Sequence, residues 1–132
     1  MLAIILIALI TVSLFVTIEL IDNRQFPKFF VGVEFAYPYS NVTGLTGLVS
    51  DLKDLVDEVK NYTNLFVIGS LEISFNQTAL NEACDYIVDA GLHFTVLFTD
   101  STKYNYTIFD WMEEAKQKYG DKFLGVYRYD EP

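Results

Sequence analysis

Glu34 stands inside an otherwise apolar run, Phe30-Val31-Gly32-Val33-Glu34-Phe35-Ala36. An unpaired carboxylate in such surroundings is costly, so it needs a partner or a function. Arg128 and Lys103 are candidate partners. Glu72, Asp100, Asp130 and Glu131 close later β-like stretches of the chain. Carboxylates converging on one space can do general acid–base work or hold a hard cation such as Ca²⁺ or Mg²⁺. Tyrosines recur beside them, at Tyr37 and Tyr39, Tyr104 and Tyr106, and Tyr127 and Tyr129. A flat ring with a hydroxyl suits the faces and edges of sugars. The plainer reading of each residue alone is a solvated strand-end acid or a surface tyrosine. There is no Gly-rich phosphate loop, no Cys/His metal spacing and no nucleophile elbow. Neither a cofactor nor a resident metal is therefore expected.

These residues need elements to hold them. From Phe29 onward the apolar period switches between about 2 and about 3.6, as in alternating strands and helices. Strands are expected over Phe29–Tyr37, Leu65–Glu72, His93–Thr99 and Phe123–Tyr129, and helices over Gly47–Tyr62, Ala79–Ala90 and Thr107–Tyr119. Cys84, Trp111 and His93 read as structural residues. The order βαβαβαβ implies an α/β fold with right-handed crossovers and a parallel sheet. Either an open doubly wound sheet or the first half of a TIM (β/α)₈ barrel has this order. Parity chooses between them. One face of each strand turns polar toward its C-terminal end, with Glu34 in strand one, Ser70 and Glu72 in strand two, Thr95 and Thr99 in strand three, and Tyr127, Tyr129 and Glu131 in strand four. A sheet packed on both faces reads more uniformly apolar, so the barrel is preferred. A complete barrel takes about 250 residues. Residues 29–132 are then expected to be a partial barrel ending after strand four, or less readily a half-barrel that dimerises.

At its end the chain carries Val126-Tyr127-Arg128-Tyr129-Asp130-Glu131-Pro132. This segment resembles the end of strand four in the large clan of (β/α)₈ retaining glycoside hydrolases, where an Asn-Glu-Pro signature supplies the acid/base glutamate. The resemblance implies that role for Glu131, which would protonate the leaving oxygen and then activate water. It places Asp130 where the family has the asparagine that bonds the sugar hydroxyl, a departure from the pattern. It also implies a nucleophile on a seventh strand. The expected substrate contacts are Glu34, Tyr37, Glu72, Tyr127, Tyr129 and Asp130.

The other end is a membrane signal. Leu2 to Ile18 has no charge, proline or glycine, and an apolar run of about 20 residues spans the hydrocarbon core of a bilayer. Residues 2–21 are expected to form a transmembrane signal-anchor, since Val16-Thr17-Ile18-Glu19 offers no small-residue cleavage site; residues 22–28, with Pro27, form a linker. Four Asn-x-Thr glycosylation patterns, at Asn41, Asn61, Asn76 and Asn105, where about one is expected by chance, put the domain on the extracytoplasmic side. A net charge of −9 argues against a nucleic-acid partner, leaving carbohydrate and membrane lipid as the expected partners. The single cysteine leaves the domain to be held by its core. Three functions fit: a membrane-anchored glycoside hydrolase-like enzyme, a non-catalytic carbohydrate-binding module, and a structural cell-envelope protein.

Overall fold

The computed structural model describes residues 29–36 and 44–128. They form an α/β unit built on a four-stranded, all-parallel sheet with strands β1 (Gly32–Phe35), β2 (Leu65–Ile68), β3 (His93–Phe98) and β4 (Phe123–Arg128). The strand order is β1-β2-β3-β4, so every crossover advances by one strand in the same direction. The helices are α1 (Leu45–Val59), α2 (Leu71–Ser74), α3 (Gln77–Asp89) and α4 (Ile108–Tyr119), with a short 3-10 turn over Gly120–Lys122. Among the described residues no helix is long and apolar enough to cross a membrane. The expected anchor, 2–21, and linker, 22–28, lie outside the described residues.

All the helices cover one face of the sheet. Their apolar stripes supply Leu48, Leu52 and Val56 from α1, Leu80, Ala83, Cys84 and Ile87 from α3, and Trp111 and Ala115 from α4. These pack on Phe35, Phe66, Ile68, Phe94, Val96 and Phe98, which are all buried in one cluster. Each large side chain so removed from water contributes about 1.5–3 kcal/mol. Trp111 anchors the far end by packing on Phe98 and Phe123, with its indole N–H donated to Asn81 Oδ1 at 2.8 Å.

The register decides which residues face the other way. Glu34 aligns with Val67, and Val67 with Thr95. Aligned residues of a parallel ladder share a face, so Gly32, Glu34, Leu65, Val67, His93 and Thr95 form the face without helices. For strand two this corrects the expectation that put Ser70 and Glu72 on the Glu34 face: Phe66 and Ile68, which share their parity, lie fully buried under the helices. Parity also misleads beyond Ile68. The chain leaves the sheet there and turns into α2, so Glu72 occupies the first turn of a helix instead of a strand end.

At the start of the sheet, Asn64 acts as a side-chain extension of β2. Its Oδ1 accepts from Val31 N at 2.8 Å and its Nδ2 donates to Phe29 O at 2.9 Å. The helix starts differ in how they are capped. Asn76 Oδ1 accepts from Ala79 N at 3.1 Å and caps α3, whereas Thr107 occupies the N-cap position of α4 without a side-chain capping bond.

Candidate functional site

Glu34 and Tyr127 meet across the helix-free face, with Tyr127 donating its hydroxyl to Glu34 Oε1 at 2.6 Å. They stand on the first and last strands of the sheet, three strand spacings or about 14 Å apart if the sheet were flat. A glutamate and a tyrosine reach across that gap only when the sheet curls toward them. The bond is therefore a mark of concavity on this face, at the C-terminal ends of the strands.

Two glycines make the contact possible. Gly69 directly follows β2, and its N–H donates to Phe35 O at 3.0 Å. A Cβ added there would overlap Glu34 Oε1 and come within 3.0 Å of Glu34 Cγ. The missing side chain is the space the carboxylate fills. Gly125 lies in β4 at φ 115°, in the left-handed region. Between the pairs Phe94–Phe123 and Val96–Val126, β4 carries one residue more than β3, so it bulges there. The extra residue shifts the parity of everything after it. Phe123 thus packs toward the helices against Trp111, and Tyr127 still emerges on the Glu34 face. Thr95 Oγ1 donates to Gly125 O at 2.9 Å and pins the bulge from the concave side.

The pair is a phenol bound to a carboxylate. Partial burial, and then the bond to Glu34, push the Tyr127 phenol well above the usual tyrosine range. It remains a protonated donor across the physiological pH range. The cations that sequence offered as partners of Glu34 are elsewhere: Arg128 Nη2 pairs with Asp100 Oδ2, and Lys103 Nζ lies 5.5 Å from the Phe75 ring centre. Among the described residues no salt bridge reaches Glu34. Glu72 is engaged locally, accepting from Ser70 Oγ at 3.4 Å.

Tyr104 and Tyr106 are framework residues. Tyr104 Oη accepts from Thr99 N at 3.0 Å, and its ring packs edge-on against Phe75. Tyr106 donates to Ser74 O at 2.5 Å. The β3–α4 loop is tied further by Asn105, whose Oδ1 accepts from Gln77 N at 2.9 Å. Of the glycosylation patterns, Asn61 is exposed beyond α1, and Asn76 and Asn105 lie on the side of the strand ends. The helix-start bonds of Asn76 and Asn105 use Oδ1, not the Nδ2 that a glycan would occupy.

Tyr37, Tyr39, Asn41, Tyr129, Asp130 and Glu131 lie outside the described residues. Of the expected substrate contacts, the structure therefore brings Glu34 and Tyr127 together, and it seats Glu72 on its own helix. Among the described residues no group of three His, Cys, Asp or Glu is arranged to hold a metal ion. Gly69, Thr95 and Gly125 were not anticipated as site residues. An isolated glycine within or just after a strand pattern signals a bulge or a close approach, and that signal was there at both glycines. Compared with protein-family models, curated proteins and solved structures, the chain matches none.

Proposed function

We propose that this chain forms the first four βα units of a (β/α)₈ barrel acting on carbohydrate, tethered by residues 2–21 on the extracytoplasmic side of a membrane. The single observation behind this reading is the Glu34–Tyr127 bond across the concave face at the C-terminal strand ends. Sequential strand order with helices on one face supports the barrel, since such barrels advance one strand per unit and place their sites at that end. In this reading Glu131 is the acid/base of a retaining glycoside hydrolase-like enzyme, three residues past β4 in sequence. Tyr37, Glu72, Tyr129 and Asp130 would join Glu34 and Tyr127 around the sugar.

The second reading is a non-catalytic carbohydrate-binding or structural module. It is favoured by Asn76 and Asn105, because glycans on both would crowd the mouth. Two measurements separate the readings. A glycan array probed with the intact chain should retain oligosaccharides, and silence across the array overturns the carbohydrate assignment. In a full-length barrel that includes the seventh strand, Glu131→Gln should abolish hydrolysis if the protein is an enzyme, and should leave affinity untouched if it only binds. The membrane placement predicts a glycosidase-sensitive mass shift when the chain is expressed in a secretory pathway.

A further inference from the structure

We infer that the Glu34–Tyr127 pair selects glycans presenting hydrogen-bond donors, neutral or amine-bearing, and turns away acidic sugars. This rests on the carbohydrate reading above and names the substrate class of the same site.

A phenol has one proton to give, and Tyr127 gives it to Glu34 Oε1 at 2.6 Å. What the pair still offers is the lone pairs of Tyr127 Oη and those carboxylate lone pairs that the phenol leaves free. All of these are acceptors. Such an array is satisfied by donors: adjacent hydroxyls of a sugar ring, or an ammonium on an amino sugar. A carboxylate ligand brings only acceptors and a like charge.

The surroundings point the same way. Glu72 and Asp100 follow β2 and β3 near the same end. Arg128 and Lys103, the cations that sequence offered as partners of Glu34, are committed to Asp100 and to the Phe75 ring. The charge of the whole chain, −9, adds a repulsive background for anions. Gly69 makes the pair accessible as well as possible, because a side chain there would take the volume of the carboxylate. The Tyr127 ring, half-buried beside it, offers an apolar surface to a sugar ring.

The test is calorimetric titration of the intact chain with three oligosaccharides of equal length: a cello-oligosaccharide, a glucosamine oligomer and an oligogalacturonate. The first two should bind, and the oligogalacturonate should bind at least about tenfold more weakly at low salt, the gap narrowing as salt screens it. Preference for glucosamine over the cello-oligosaccharide identifies an ammonium as the donor, and equal binding identifies hydroxyls. Glu34→Gln should erase most of the discrimination, because the amide removes the charge and adds a donor. Tyr127→Phe should weaken the neutral ligand but keep the acidic one excluded, since the carboxylate remains. Equal or tighter binding of the oligogalacturonate overturns this inference and leaves the carbohydrate reading standing. Failure of all three to bind overturns the carbohydrate reading, and the inference with it.

Discussion

Gly69→Ala is the substitution that separates the site from the fold. The added methyl would overlap Glu34 Oε1 and sit 3.1 Å from Cδ. These atoms end an exposed, flexible side chain, so Glu34 can swing aside while the backbone stays in place. The bond to Tyr127 is then lost. A hydrogen bond to a charged group contributes about 1.5–3 kcal/mol when sheltered, and solvent at this exposed carboxylate brings that nearer 1 kcal/mol. Opposing it, alanine narrows the unfolded ensemble by about 0.4–1 kcal/mol where the backbone accepts it. Gly69 lies outside the left-handed region, so it does. The two terms nearly cancel, and the net change in stability should stay within about 1 kcal/mol. Urea unfolding measures that change. The ¹³C resonances of Tyr127 Cζ and Glu34 Cδ, compared with those of Tyr127→Phe and Glu34→Gln, report the bond. Unmoved resonances in Gly69→Ala refute the reasoning, and so does a loss above about 3 kcal/mol, which would mean that the backbone had to yield.

The remaining predictions test the supports of the site. Gly125→Ala forces a side chain onto a backbone at φ 115° and should cost about 1–3 kcal/mol by chemical denaturation; a neutral result would show that the bulge relaxes without strain. Asp85 accepts from Tyr119 at 2.8 Å and pairs with Lys118 at 2.6 Å. Burial raises its carboxyl, but these two partners outweigh it and hold the group below its ordinary 3.8. Its folded value is below its unfolded one, so its contribution is complete above about pH 4 and is lost as pH falls through the folded value. Asp85→Asn should therefore flatten the fall in urea midpoint below pH 4, and an unchanged slope would assign that fall to other groups. Cys84 is fully buried, and desolvation pushes its thiol far up; it should resist Ellman's reagent until the chain unfolds, and rapid native labelling would contradict the packing.

What could be read from the chain alone was the order of elements. Apolar period marks strands and helices because burial is one-sided in each, and six switches of period are enough to specify a parallel α/β sheet. Glu34 stood out as a carboxylate inside an apolar strand, although the fold leaves it exposed on the helix-free face. Its partner did not. Charge alone suggests Arg128 or Lys103, yet the curl of the sheet delivers Tyr127, 93 residues away in sequence. Parity also holds only while the strand lasts. It ended at Ile68, which sent Glu72 into a helix, and it slipped by one at Gly125, which turned Phe123 into the core. Sequence thus determined the local periods, which depend on neighbours a few residues apart. Only the tertiary structure decided which side chains meet, because register, bulge and curvature are properties of paired strands and not of any one of them.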